Sequence, residues 1–193
     1  MAEREAAGTY WANRRVGAFS RARDWSVKLA ERIAAMQPSS VLEFGCNVGR
    51  HLDQLKARLP IESRVVGIDI SLPAVYVARE KGHAALLGDE MTLSLFEPDA
   101  FDVAYTVSVI DHLPSPMQAL VELDRVARTL VLVEPWLGFE GKVETTSDGK
   151  RANPFLYSWD YAKRLPERTW TDEPFRIADV GAGPDYRLHI GTR

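Results

Sequence analysis

The sequence has few of the residues that build disulfides or metal centres. Cys46 is the single cysteine among 193 residues, and the four histidines are scattered along the chain. An internal disulfide is therefore impossible, and a zinc site, which needs several ligands at short spacing, is not expected. A chain without disulfides suits a reducing compartment, so we expect a cytoplasmic protein without a bound metal.

Long apolar runs and strong charge are also missing. No stretch of about 18 apolar residues occurs, and residues 1–5 lack the apolar core of a secretory signal. The formal net charge is −3, whereas nucleic-acid-binding domains usually carry a strongly basic face. We therefore predict no membrane partner and no nucleic-acid partner for this chain, whose length is that of one globular domain.

The most informative segment is VLEFGCNVGR at residues 41–50. An apolar strand passes through Glu43 into a turn that contains Gly45 and Gly49, and helical periodicity follows. Glycine is favoured there because a Cβ would obstruct the turn or hold a ligand away from the backbone. A strand, a glycine turn and a helix form the crevice at the carboxyl edge of a parallel sheet, where open α/β folds bind ligands.

Predicted strands and helices alternate along most of the chain. Strands are predicted at 40–44, 64–70, 84–87, 101–107 and 130–134, and helices at 20–36, 49–58, 73–81, 116–128 and 158–166. This alternation predicts parallel βαβ units with right-handed crossovers. Two further β-like stretches, 175–180 and 186–192, are separated by five residues rich in Gly and Pro, which predicts an antiparallel hairpin.

Polar or small residues follow each of the first four predicted strands. They are Glu43 with the glycine turn, Asp69, the segment Gly88-Asp89-Glu90-Met91, and Thr106-Val107-Ser108. The carboxyl ends of parallel strands lie at one edge of a sheet, so one elongated ligand can contact all four. Asp69 is placed to accept hydrogen bonds from a ribose diol. Asp89 is placed to accept from an adenine amine, with Ile70 and Met91 on the two faces of the ring.

Five motifs in this order resemble the class I S-adenosylmethionine-dependent methyltransferases. They are VLEFGCNVG (41–49), VVGID (65–69), GDEM (88–91), FDVAYTVSVIDHL (101–113) and LVLVEPW (130–136). The resemblance implies a Rossmann-like, doubly wound α/β fold with a mostly parallel seven-stranded sheet, in the order 3-2-1-4-5-7-6, and a C-terminal antiparallel hairpin. The sequence departs from the family pattern at Asn47, where a third glycine is common, although asparagine tolerates the left-handed conformation.

The resemblance also divides the single domain into four parts. A helical cap is expected at 1–38, the cofactor-binding core at 39–136, a variable substrate-side loop and helix at 137–170, and the hairpin at 171–193.

The implied cofactor is S-adenosyl-L-methionine, and the implied product is S-adenosyl-L-homocysteine. The residues that the resemblance assigns to the cofactor are Glu43, Gly45, Cys46, Asn47, Gly49, Asp69, Ile70, Asp89, Glu90, Met91, Thr106, Val107 and Ser108. In this assignment Asp69 binds the ribose hydroxyls, Asp89 and Met91 hold adenine, and residues 106–108 flank the methionine moiety.

Methyl transfer depends mainly on the alignment of acceptor, methyl and sulfur. A hydroxyl acceptor also needs a general base, and His112, just past the fourth strand, is the candidate; packing of the loop is the alternative reading. The acceptor site is expected in the variable parts of the chain, where aromatic and polar residues suit a small organic molecule. The candidate substrate-binding residues are Tyr10, Trp11, Arg15, Trp136, Tyr157 and Asp160.

We therefore expect a methyltransferase (EC 2.1.1.-), as a monomer or homodimer, that methylates oxygen or nitrogen of a natural product or sugar. One alternative is a non-catalytic subunit that binds S-adenosylmethionine or a partner. The other is a nicotinamide-dependent oxidoreductase, which is disfavoured because the turn has glycines at 45 and 49 with Asn47 between them, and this spacing differs from GxGxxG.

Overall fold

A seven-stranded sheet organises the part of the chain that the computed structural model describes, residues 2–13, 23–143, 155–176 and 186–193. The strands are β1 (Ser40–Phe44), β2 (Arg64–Asp69), β3 (Ala84–Leu87), β4 (Phe101–Val107), β5 (Ala127–Pro135), the short pair β6 (Gly141–Lys142) and β7 (Tyr157–Ser158), β8 (Thr169–Pro174) and β9 (Tyr186–Thr192). The main sheet has the order β3-β2-β1-β4-β5-β9-β8, and β6 pairs only with β7.

The first five strands of the sheet are parallel, and β9 runs antiparallel to both β5 and β8. This arrangement confirms the predicted Rossmann-like fold and the strand order 3-2-1-4-5-7-6. Because the strand order reverses between β1 and β4, their carboxyl ends border the crevice where such sheets bind ligands.

Helices cover both faces of the sheet. They are α1 (Ala2–Ala12), α2 (Asp24–Ala34), α3 (Arg50–Lys56), α4 (Leu72–Glu80), α5 (Met117–Val126) and the single turn α6 (Tyr161–Arg164), with 3-10 turns at Glu90–Leu95 and Ile110–His112. Successive side chains of a strand point to opposite faces. In β5, Leu130 and Leu132 accordingly join the core beneath α5, whereas Val131 and Val133 join the core beneath α2, α3 and α4.

The penultimate strand of the structure, β8 (Thr169–Pro174), was not predicted from the sequence. The sequence predicts a strand at 175–180, but residues 177–185, which include the Gly/Pro-rich link, lie outside the described residues. β8 was not predicted because it is an exposed edge strand of mainly polar residues without apolar alternation. Trp170 anchors it, since a Cβ on Gly191 of β9 would meet the Trp170 ring at 2.8 Å. The antiparallel pairing itself is confirmed.

Within the described residues, no helix is both long enough and apolar enough to cross a lipid bilayer.

Candidate cofactor and active site

The glycine turn after β1 is held to the neighbouring strand by its backbone. The N–H groups of Gly45 and Cys46 donate to the carbonyl of Ile68, at 2.8 and 2.9 Å. Gly45 has φ +85°, Asn47 φ 48° and Gly49 φ 75°, so all three adopt the left-handed conformation. A Cβ on Gly45 would lie 2.2 Å from Cγ2 of Val109. The glycine is therefore required by the backbone and by close packing against the loop that follows β4.

Asp69, at the end of β2, connects the turn to the next helix. Its Oδ2 accepts from the Asn47 N–H at 2.7 Å, and its Oδ1 accepts from the Ser71 N–H at 2.8 Å. Burial raises the pKa of Asp69, although the two backbone hydrogen bonds favour the charged form and oppose the rise. Each carboxylate oxygen has a second lone pair, so the group retains acceptor capacity at the crevice.

The end of β3 is shaped by Gly88 and Asp89. A Cβ on Gly88 would meet Oγ1 of Thr92 at 1.7 Å, so no larger residue fits there. Asp89 caps the following 3-10 turn, because its Oδ1 accepts from the Met91 N–H at 2.9 Å. The Met91 side chain is 55% exposed beside Gln118, while Glu90 is buried.

Glu43 and Cys46 lie beneath the turn. Glu43 is buried and accepts a hydrogen bond from Nδ1 of His51 at 2.6 Å, so its carboxylate fixes the start of α3. The Cys46 thiol is buried against Gly67, and burial raises its pKa. A protonated, inaccessible thiol is a packing group and not a nucleophile.

Helix α1 crosses the carboxyl edge of the sheet and contacts both of its halves. On the β3 side, Arg4 pairs with Glu90, and Gly8 lies over Ile70. On the other side, Oε1 of Glu3 accepts from the Tyr157 hydroxyl at 2.8 Å and from Nζ of Lys142 at 2.7 Å.

The end of α1 brings its aromatic side chains to the loop after β4. The indole of Trp11 stacks on the imidazole of His112, with ring centroids 4.0 Å apart and an interplanar angle of 22°. Tyr10 packs edge-on against Trp11 and against Phe155. The structure thus brings Tyr10, Trp11 and Tyr157 to the same edge as His112, while Arg15 lies outside the described residues.

The loop after β4 is built around two buried carboxylates. Glu134 accepts from the Thr106 hydroxyl at 2.7 Å and from the backbone N–H groups of Val109 and Asp111 at 3.1 and 3.2 Å. Asp111 is equally buried. Burial raises the pKa of Glu134 to about 8 and that of Asp111 to about 7. The two carboxyl groups titrate as a pair, and together they fix the loop that carries His112.

His112 has a defined tautomer in this loop. Its Nδ1 lies 2.9 Å from the carbonyl oxygen of Phe155, which can only accept, so Nδ1 carries a proton. Its Nε2 faces Oγ of Ser108 at 3.4 Å. Oδ1 of Asp111 lies 3.6 Å from Nδ1, a distance that gives charge contact without a hydrogen bond.

The remaining candidates lie around this edge. Trp136 directly follows β5 and is partly buried. Asp160 caps α6, because its Oδ1 accepts from the Lys163 N–H at 3.1 Å. The Thr106 side chain is fully buried and Val107 partly buried at the end of β4, so Thr106 reaches the crevice through its backbone only. Among the described residues, no group of three or more His, Cys, Asp or Glu is placed to hold a metal ion.

Comparison with known proteins agrees with the fold. Residues 42–130 match the family described as Methyltransferase domain. The fold recurs in solved S-adenosylmethionine-dependent methyltransferases.

Two curated relatives match part of this chain. The "Uncharacterized 37.1 kDa protein in transposon TN4556" of Streptomyces fradiae is 35% identical over 122 residues, which are 59% of this chain and 35% of that protein. "Probable tRNA methyltransferase 9B" of Homo sapiens is 26% identical over 105 residues, 54% of this chain and 22% of that protein. The chain therefore spans about a third or less of the length of these relatives.

One solved structure aligns with this chain over its whole length. Burkholderia thailandensis 1,6-didemethyltoxoflavin-N1-methyltransferase, with bound 1,6-didemethyltoxoflavin and S-adenosylhomocysteine, aligns over 100% of this chain and 87% of its own, with a TM-score of 0.68 and 13% identity. Similarity at this level of identity establishes the fold and leaves the substrate to other arguments.

Several residues of the candidate site were missed by the sequence analysis. Glu3 and Lys142 fasten α1, Glu134 anchors the loop after β4, and the Tyr186 hydroxyl lies 2.9 Å from Oγ of Ser108. Of these residues, only Glu134 could have been recognised from the sequence, because it is a carboxylate inside the apolar run LVLVEPW. The other three act through partners that are distant in sequence.

The buried carboxylates predict a loss of stability as pH rises. An acid whose pKa is higher in the folded state holds its proton more tightly there, so stability is complete below the unfolded-state pKa and falls as pH approaches the folded value. For Asp111 and Glu134 this window runs from about pH 4 to about pH 8. Burial lowers the pKa of His189 to about 4. Between this value and its ordinary pKa of 6.5, His189 therefore makes the protein more stable as pH rises, which opposes the effect of the two carboxyl groups.

We expect Asp111→Asn to make this pH dependence shallower by up to one proton, or about 1.4 kcal/mol per pH unit. Urea unfolding of wild type and variant at matched pH values from 5 to 8.5 measures the difference and cancels the contribution of His189. Parallel stability curves for the two proteins would mean that Asp111 does not titrate in this window.

Proposed function

We propose that this chain binds S-adenosylmethionine along the carboxyl edge of its sheet and transfers the methyl group to oxygen or nitrogen of a small organic acceptor. The main support is the hydrogen bond between Asp69 and the Asn47 N–H. This hydrogen bond holds the glycine turn beside the carboxylate at the end of β2. The turn can then contact the methionine part of the cofactor, while the carboxylate accepts hydrogen bonds from the ribose.

The other cofactor contacts follow from the strand ends. Asp69 accepts hydrogen bonds from the ribose hydroxyls with its remaining lone pairs, and Ile70 and Met91 enclose the adenine, whose amine donates to Asp89. The glycine turn and the backbone at the end of β4 flank the methionine part. When bound, the cofactor supplies a methyl group activated by positively charged sulfur.

The chain aligns the acceptor with the methyl group and takes up the proton that the acceptor loses. His112 is the proposed general base, since its proton-bearing Nδ1 faces the Phe155 carbonyl and its Nε2 is the basic atom. Trp11, stacked on His112, and Tyr10 form the aromatic side of the acceptor site beneath α1. Tyr157, Trp136 and Asp160 belong to the same side of the edge.

A small acceptor is favoured over a polynucleotide. Helix α1 is fastened on both sides of the crevice, by Arg4 to Glu90 and by Glu3 to Tyr157, and a helix held in this way favours a compact acceptor. The net charge of −3 also disfavours a long polyanion. The human relative is named as a tRNA methyltransferase, which makes tRNA the alternative acceptor; methyl transfer to small metabolites but not to total tRNA would separate the two.

Calorimetry with S-adenosylhomocysteine tests cofactor binding directly. We expect the wild-type protein to bind this compound and not NAD. Binding of NAD alone would favour the oxidoreductase alternative, and binding of neither would refute the proposed function. Cofactor binding without transfer of a labelled methyl group to any acceptor in a metabolite extract would favour a non-catalytic subunit.

A substitution of Asp69 tests whether this residue binds the ribose. We expect Asp69→Ala to weaken S-adenosylhomocysteine by about 1–3 kcal/mol, because the ribose hydroxyls lose their acceptor. Asp102→Ala is the matched control, since Asp102 also accepts backbone N–H bonds, from Ser39 and Ser40, but at the opposite edge of the sheet. Calorimetry on both variants, with folding checked by circular dichroism, makes the comparison. Equal affinities of the two folded variants would contradict the assignment.

A further inference from the structure

Ser108 has a backbone conformation that is uncommon for a residue with a side chain. It follows directly on β4 with φ 52°, in the left-handed region, and its N–H donates to the Val133 carbonyl at 2.9 Å. Such a conformation costs free energy and persists where the surroundings fix it, often at functional sites. The contacts of its side chain therefore matter for the site.

Three groups surround the Ser108 hydroxyl. Oδ2 of Asp111 lies 3.1 Å away, the Tyr186 hydroxyl 2.9 Å and Nε2 of His112 3.4 Å. A hydroxyl has one proton to donate and two lone pairs that accept. An ionised Asp111 can only accept, so the Ser108 proton points to it, and the two lone pairs face Tyr186 and His112.

This geometry favours a protonated Nε2. Because Nδ1 already donates to the Phe155 carbonyl, Nε2 is the nitrogen that gains or loses a proton. When Nε2 is protonated, its N–H donates to Oγ of Ser108, whose own proton is held by Asp111. The negative charge of Asp111 thereby stabilises the imidazolium through the serine hydroxyl, with no direct hydrogen bond to the ring.

Among the residues that the structure describes, the titratable groups around this chain of contacts come from four elements. The loop after β4 contributes Asp111, β5 contributes Glu134, β9 contributes Tyr186, and α6 contributes Tyr161, which is fully buried. Helix α1 places the uncharged Trp11 ring on the face of His112. Burial raises the pKa values of Asp111 and Glu134, so the charge available to the serine increases with pH.

We propose that Ser108 is a positioning residue for His112, which relays the charge of Asp111 to Nε2 and so sets the proton affinity of the ring. This proposal rests on the proposed function, in which His112 is the general base. In that reaction the O–H or N–H bond of the acceptor breaks, its electron pair stays on the acceptor, and the proton binds the Nε2 lone pair. The new N–H lies along the axis of that single lone pair, so it is shared between the acceptor and Oγ of Ser108, which lies 3.4 Å from Nε2. This role replaces the cofactor contact that the family resemblance implies for the Ser108 side chain.

The experiment is an NMR titration of the imidazole rings in the full chain, for wild type, Ser108→Ala and Ser108→Gly. Both variants lack the hydroxyl, but glycine also removes the backbone strain. We expect the His112 midpoint to fall by about 0.5–1 pH unit in both variants, a three- to tenfold loss of proton affinity. His83, whose Nε2 lies 2.7 Å from Oδ1 of Asp53, serves as the internal reference.

Two further measurements separate the possible outcomes. Tyr186→Phe keeps the serine and should shift the His112 midpoint less than Ser108→Ala does. An unchanged His112 titration in both Ser108 variants, or a wild-type titration in Ser108→Gly alone, would overturn the proposal. So would a loss of S-adenosylhomocysteine affinity in Ser108→Ala without any change at His112. Failure of the wild-type protein to bind that compound would refute the proposed function and leave the NMR result standing.

Discussion

Replacing Gly45 by alanine is expected to abolish tight cofactor binding. Gly45 has φ 85°, and an added Cβ would lie 2.2 Å from Cγ2 and 3.3 Å from Cβ of Val109. A left-handed alanine costs about 1–2 kcal/mol, and overpacking a tight contact adds about 1–3 kcal/mol. The turn must move to relieve this strain, and with it the N–H groups that bond Ile68. We expect S-adenosylhomocysteine to bind at least about 30-fold more weakly in calorimetry.

Two variants separate the backbone strain from the clash. Gly82 has φ 80°, and a Cβ added there would have no heavy atom within 4 Å, so Gly82→Ala measures the backbone cost alone and should leave ligand affinity unchanged. Val109→Ala removes the methyl groups that clash, so the double variant with Gly45→Ala should regain most of the lost affinity. Full affinity in the single Gly45→Ala variant would show that the turn does not contact the ligand.

The sequence predicts the parallel half of the fold well because each strand is a short apolar run between turn residues. The bounds predicted for the third and fourth strands, 84–87 and 101–107, agree with β3 and β4. The strand ends then follow from topology, since parallel strands present their carboxyl ends at one edge. That is how Asp69 and the glycine turn are predicted to meet, and their hydrogen bond in the structure agrees.

The contacts of α1 and of β8 could not be predicted in the same way. Arg4 meets Glu90 and Glu3 meets Tyr157 across sequence separations of 86 and 154 residues. Such pairs leave no periodic signal in a single sequence. β8 is polar because it is an exposed edge, and its pairing with β9 identifies it only after folding. The Ser108 contacts could not be predicted for a related reason. Tyr186 reaches the serine only because β9 lies antiparallel beside β5.

Arg168 is another residue whose importance appears only in the structure, and its loss is expected to destabilise the fold strongly. Its side chain is fully buried after α6 and donates to Asp124 and to the carbonyl oxygens of Ala127, Arg128 and Gly191. It therefore joins the end of α5, the start of β5 and the end of β9. Arg168→Leu removes this donor from the carbonyl oxygens of Arg128 and Gly191, and it removes the charge partner of Asp124, which together costs about 3–5 kcal/mol.

For a domain of this size, such a loss lowers the melting temperature by roughly 6–20 °C. Arg193→Ala is the matched control, because Arg193 also contacts Asp124 and Ala127 but its side chain is 40% exposed. An exposed arginine contributes about 1 kcal/mol or less, so thermal unfolding should change little in that variant. Equal melting temperatures for the two variants would mean that the backbone hydrogen bonds of β5 and β9 hold the strands without Arg168. β9 also carries Tyr186, which contacts Ser108. Arg168→Leu should therefore disturb the His112 titration as well, whereas Arg193→Ala should not.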